Sequence, residues 1–356
     1  MRKRLVMISA ACVLAAGIVS AQNKSGAPRM ADGHPDLQGV YDLATLTPVE
    51  RPAGTTSPVY TDEQAKKFET QVAARKEYSA RAIKGDRDAP PKGGDGSAGA
   101  AGNVGGYNSF WIDSGSAYTI VDGQKRSSLV IDPADGRVPS LTPEARQRAT
   151  AFRNQAATSD QGAQEDDPGF EKAPGAYDDP ERRPLGERCL MGFGSTSGPP
   201  ALPDYFYNNL HQIVQTPDSV MILTEMVHDA RVVRMNQPHL PPTIRRWMGD
   251  SVGRWEGDTL VVDTTNFTEK TRFRGSSPDL HIVERFTRTG PNTLLYRFTI
   301  EDPKTWTRAW TGEYTWPATT ERIYEYACHE GNYALENILR GARLKEADDS
   351  KKKSQR

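Results

Sequence analysis

Three cysteines and six histidines in 356 residues leave few ways to build a metal centre. No Cys-X-X-Cys and no His-Glu-X-X-His spacing is present to supply a recognised ligand set. The cluster Cys328-His329-Glu330 has the right atoms but not that spacing, so no metal is expected. A Gly-X-Ser-X-Gly elbow and a phosphate-binding loop are also missing, which removes the commonest hydrolase and nucleotide-using classes. No sequence signal calls for a cofactor. Charge of one sign is lacking too, because 45 basic residues nearly balance 46 acidic ones. No basic stripe interleaved with aromatics occurs, so no nucleic-acid partner is expected. Lys351–Lys353 form the one dense basic cluster, in a polar tail, and read as solvated.

Long apolar runs are scarce. Leu5–Val19 is shorter than the roughly 20 residues that span a bilayer and contains Ser9. Arg2, Lys3 and Arg4 precede it and Val19-Ser20-Ala21 ends it, the layout of a secretory signal peptide over residues 1–21. Its removal takes the formal charge from -1 to -4, since three basic and no acidic residues leave. The expected location is therefore secreted or periplasmic, with no membrane span after cleavage. Cys12 leaves with the leader, and Cys189 and Cys328 remain. In an oxidising compartment they suit a disulfide, with two separate buried thiols as the alternative.

What is present is mostly strand signal. Val252–Trp255 and Thr259–Thr265 flank Glu256-Gly257-Asp258, the pattern of a tight antiparallel hairpin. Leu260 and Val262 alternate with Val261 and Asp263, so one face can enter a core while the other meets water. Further strands are expected at His211–Thr216, Ser219–Val227, Ala230–Met235, His281–Arg288, Thr293–Ile300, Thr305–Trp316 and Arg322–Tyr326, with a Pro-rich connection over Pro238–Met248. Sequential antiparallel strands usually lie side by side, and about eight of them tend to close because closure removes exposed edges.

Before this meander, residues 22–106 hold a short strand at Asp36–Tyr41, a helix over Gln64–Arg81 capped by Thr61, and a Gly/Pro-rich linker over 85–106. Residues 107–208 hold a strand at Tyr107–Ile112, a hairpin arm at Ser127–Ile131, a helix from Pro143 to Asn154 and an acidic irregular excursion over 156–188. The barrel is assigned to 209–340 and a polar tail to 341–356.

Gly39-Val40-Tyr41 and Gly253-Arg254-Trp255 each set Gly-X-aromatic at a strand entry, and an up-and-down meander follows the second. In this the chain resembles the lipocalin and wider calycin group, where Gly-X-Trp opens the first strand and an arginine from a late strand packs over the ring. The resemblance implies that role for Arg308 or Arg322, and implies a mainly β, antiparallel up-and-down barrel with added helices and long loops. The chain is also similar to a set of secreted proteins from environmental bacteria, through runs such as Pro35–Val40, Ser128–Pro133, Trp255–Val262 and Tyr326–Tyr333. That likeness brings no established activity with it.

The candidate ligand-binding residues are Trp306, Arg308, Trp310 and Tyr314, which share a strand parity with Trp316. Rings on an inner wall either fill a core or line a pocket for a small, partly apolar ligand. Arg272 and Arg274, with Ser276 and Ser277, form a loop able to receive a carboxylate, or a solvated loop. The candidate catalytic residues are His228 and Asp229 at a strand reversal, and Glu284, which shares a face with Ile282 and Phe286. An inward Glu284 is either a tuned acid or half of a structural ion pair, with Arg297 as a possible partner. Three functions therefore stand open: a ligand-binding barrel, a barrel enzyme doing acid–base chemistry, and a structural protein with a filled barrel.

Overall fold

A computed structural model describes residues 28–79, 113, 115–155, 175–192, 198–203, 207–271 and 273–355. The expected leader, the 85–106 linker, the Tyr107–Ile112 strand, Arg272 and residues 156–174 of the acidic excursion lie outside the described residues. The strands are β1 (Gly39–Asp42), β2 (Val59–Tyr60), β3 (Ile120–Val121), β4 (Gln124–Arg126), β5 (Val130–Asp132), β6 (Leu210–Gln215) and β7 (Ser219–Thr224). There follow β8 (Ala230–Met235), β9 (Asp250–Glu256), β10 (Thr259–Thr265), β11 (His281–Gly290), β12 (Thr293–Glu301) and β13 (Trp310–Thr319). Three helices are described: α1 (Asp62–Ser79), α2 (Pro143–Gln155) and α3 (Tyr333–Ser354).

β1 and β6 to β13 close into a nine-stranded barrel, because β13 pairs back onto β1 through Val40 with Thr319 and Tyr41 with Ala318. A closed ring with an odd number of strands cannot alternate direction throughout, so at least one neighbouring pair must run parallel. That pair is β8 with β9, joined only at Arg234 with Val252 and Met235 with Gly253. Residues 236–249 carry the chain back outside the barrel between them. The expectation of a purely antiparallel meander is corrected here: the barrel is mixed, and the Pro-rich connection creates the exception. The stave that makes the count odd, β1, comes from the N-terminal region.

The hairpin at Glu256–Thr259 forms as expected, with Gly257 at φ +60° in its two-residue turn. The strand expected at Arg322–Tyr326 does not form. Once β13 has paired with β1, no open edge is left for it to join. α3 occupies 333–354, where Asn332 caps its first turn by accepting from the Leu335 amide at 3.2 Å. It replaces most of the expected polar tail.

Side-chain parity sets the interior. Leu260, Val262, Ile282, Phe286, Leu294, Tyr296, Phe298, Trp310, Tyr314 and Trp316 are all buried and belong to one core. Tyr296 lies 4.6 Å from the Trp316 ring and 5.6 Å from Tyr314, so the rings fill the barrel against one another. Gly312 makes this possible, since a Cβ there would come within 2.7 Å of the Phe298 ring. The buried stretch 198–203 enters the same core. Its Ala201 amide donates to the Tyr296 hydroxyl at 2.9 Å, and the Tyr314 hydroxyl donates to the Ala201 carbonyl at 2.8 Å. Outside, the small sheet of β2, β4 and β3 covers β13 and buries Glu313, which pairs with Arg126 and Arg297.

Cys189 and Cys328 are bonded, with Cα atoms 5.7 Å apart, so the disulfide reading is the one the fold adopts. The Tyr41 hydroxyl accepts from Arg288 of β11 at 3.3 Å, and the same Nη1 donates to the Asp36 carbonyl.

Candidate functional site

The residues expected to act together stand apart. His228 is exposed at a left-handed backbone position, φ +47°, with Nδ1 3.0 Å from the Tyr326 carbonyl. Asp229 beside it is half-buried. Glu284 is fully buried in the barrel, where Arg231 grips both its oxygens and the Tyr296 hydroxyl donates to Oε1 at 2.8 Å. Arg231 also reaches Ser251, which bonds Thr264 at 2.9 Å. Arg297, the partner expected for Glu284, has the opposite parity and bonds Glu313 outside.

Trp310 and Tyr314 are core residues, and Trp306 is buried in the turn before β13, bridged to Leu141. Because that turn breaks the parity, Arg308 faces outward and clasps Asp132 at 2.8 Å. Arg274 is half-buried in a short turn at φ +48°. Ser277 donates to Asp302 from both its amide, at 2.6 Å, and its hydroxyl, at 3.0 Å, so the serine of that loop is spent on structure.

An open cleft of about 460 Å³ lies where β1, the start of β6, the end of β7 and the segment after β13 meet. Asp42, Asp113, Glu225 and Glu321 line it, with Tyr207, Tyr324 and Tyr326 as its rings and Arg322 as its one arginine. Glu225 is buried, with Oε1 fixed by the Tyr324 amide at 2.9 Å. Asp113 is held by Lys76 at 2.8 Å. Burial pushes the Asp42 carboxyl up from the ordinary carboxylate range. Asp113 and Glu321 push it further, against the Ala44 amide and Lys76. The cleft therefore carries more negative charge than its own cations neutralise. Three of these lining residues, Arg322, Tyr324 and Tyr326, belong to the segment whose strand did not form, and Glu321 directly precedes it.

A second polar array was not foreseen from the sequence. On the outer face, His281 sets Nδ1 3.1 Å from Glu301 and Nε2 3.1 Å from Asp263. The same Asp263 oxygen stands 3.0 Å from His239 Nε2, and His239 Nδ1 stands 3.0 Å from Asp250. Asp263 and Asp250 both sit below the usual carboxylate range: burial works against their charge, and hydrogen bonds outweigh it, from His281 and His239 on Asp263 and chiefly from the Leu240 amide, His239 and Arg234 on Asp250. His281 is pushed up to about 9, first by its bond to Asp263, while burial opposes and Glu301 adds. The outward parity of Asp263 was legible; that a histidine 24 residues upstream would fold back onto it was not.

Inside the barrel, His211 is buried at 5.6 Å from the Trp316 ring. Its Nδ1 faces the Asn209 carbonyl, and its Nε2 has no hydrogen-bond partner. Burial lowers it to about 4, so it is a neutral base at ordinary pH. Among the described residues no group of three His, Cys, Asp or Glu side chains could hold a metal ion. No described helix is long and apolar enough to cross a membrane. Set against family models, curated proteins and solved structures, the chain finds no match in any of the three.

Proposed function

We propose that this is a secreted binding protein, a calycin-like barrel that takes a small organic cation in the cleft at its rim. The single observation that carries the reading is the cleft's composition: four carboxylates and three tyrosines against one arginine, around about 460 Å³. A volume of that size suits a small ligand. Tyrosine faces attract an ammonium group through the ring quadrupole and also cover its carbon skeleton, so the ligand is partly apolar. The upward displacement of the Asp42 carboxyl supports the same reading, since an incoming cation relieves the crowding of Asp113 and Glu321 on it. Secretion is supported by the leader pattern of residues 1–21 and by the Cys189–Cys328 disulfide, a bond that persists in oxidising compartments. The aromatic interior acts as the rigid wall behind the cleft, because its rings are occupied with one another.

Isothermal titration with tetramethylammonium, benzylamine and spermidine, and with benzoate as the anionic control, tests this. Amines are expected to bind with Kd below roughly 1 mM and benzoate not to bind. Glu321→Gln should weaken the best amine about fivefold, corresponding to about 1 kcal/mol for one partly screened charge. Tyr324→Ala should cost a similar factor through the lost ring. Preference for benzoate, or amine affinity untouched by both substitutions, would sink the reading.

A further inference from the structure

The connection over 236–249 forces the parallel β8–β9 pair, and that seam is held by only two register pairs. Beside it runs a chain of five side chains from five separate places: Glu301 on β12, His281 on β11, Asp263 on β10, Asp250 on β9 and His239 on the connection itself. Asp250 is gripped in addition by Arg234 of β8 at 3.0 Å and by the Leu240 amide at 2.9 Å. Arg234 also donates to the Pro238 carbonyl at 3.1 Å. The groups facing the two imidazoles are thus three carboxylates, with Arg234 as the one further cation, bound to Asp250.

We infer that this chain is a proton-held latch fastening residues 238–240 to the outside of the barrel over the β8–β9 seam, and that the latch loosens in alkaline solution. Each imidazole has a carboxylate oxygen within 3.1 Å of both its nitrogens. A neutral His281 would donate from one nitrogen only and set a lone pair against the other oxygen; only its cation satisfies both, and the shared Asp263 oxygen carries that hold on to His239. A divalent ion between the rings is the other way to satisfy such an array, but no three of the described side chains form a group that could hold one. The proton on His281 is therefore the cement. Because the folded His281 sits at about 9 against an ordinary 6.5, its contribution is fully present below 6.5 and is lost as the pH rises through about 9. The depressed Asp250 and Asp263 act in the opposite sense and fail only at acid pH, below their ordinary 3.8. Between those limits the latch is closed. Opening it frees the edge of a seam that only two register pairs hold.

Amide hydrogen exchange on the full-length mature protein, followed from pH 6 to 10 and corrected for intrinsic rates, reads the latch at the Leu240 amide. Protection there is expected to fall by about tenfold for each pH unit between about 6.5 and about 9, the slope of a single linked proton, and to level off above that, while β7 stays protected. His239→Gln, on the connection and half-exposed, should show the open level already at pH 7 with no further pH dependence. His281→Gln should flatten the alkaline fall. A pH-independent Leu240, or a His239→Gln protein as protected as wild type, overturns the inference. Opening at pH 7 by a chelator overturns it in favour of a bound metal.

Discussion

Arg231 and Glu284 meet inside the barrel with almost no access to water, Arg231 being 6% exposed and Glu284 not exposed at all. Replacing Arg231 by Met leaves the Glu284 carboxylate buried with the Tyr296 hydroxyl as its remaining donor. The cost of an uncompensated buried charge is about 3–5 kcal/mol. Glu284→Gln strands Arg231 with Ser251 and should cost about as much. The double change Arg231→Met with Glu284→Leu removes both charges. It strips Tyr296 of one acceptor, worth about 1–3 kcal/mol, and leaves its bond from Ala201 intact. The double variant should therefore be more stable than either single one. Urea unfolding followed by tryptophan fluorescence measures this, with Trp310 and Trp316 in the same core as reporters. The reasoning fails if Arg231→Met costs less than about 1 kcal/mol, or if the double variant loses the sum of the two single losses.

Two further expectations concern packing and covalent closure. Gly312→Ala should destabilise by about 1–3 kcal/mol because its Cβ runs into the Phe298 ring, and Phe298→Leu in the same chain should recover part of that loss in the same unfolding assay. A Gly312→Ala protein as stable as wild type would show that the ring moves aside freely. Replacing both Cys189 and Cys328 by Ser should cost about 4–5 kcal/mol in the chain-entropy account, since the bond spans 139 residues, and reducing the wild type should give the same midpoint. Equal stability of the bonded and unbonded forms would remove the closure argument.

Much of the architecture was legible residue by residue. Leu260 and Val262 alternate with Val261 and Asp263, and this period of two correctly put the first pair inside, whereas on the other face Asp263 is part-exposed but Val261 is buried. The same rule set Glu284 on one face with Ile282 and Phe286, a face that turns out to be internal, but its partner was not readable, because Arg231 lies 53 positions away and on no adjacent strand. The rule held for the burial of Trp306 but failed at Arg308, because a turn interrupts the strand there and parity has no meaning across a turn. The rim cleft was invisible for a related reason: its walls come from Asp42, Asp113, Glu225 and Glu321, which no local pattern connects.

The sequence alone determined most of the barrel's strands, which of their faces are apolar, and that two cysteines stand outside the expected leader, because hydrophobic period, turn chemistry and residue identity are local properties of the chain. The tertiary structure decided that nine strands close instead of eight, that one pair must therefore run parallel, and that charges far apart in sequence come together at the rim and on the outer wall. Those outcomes depend on which edges remain unpaired once the neighbours have met, and that is settled only when the whole sheet has curled.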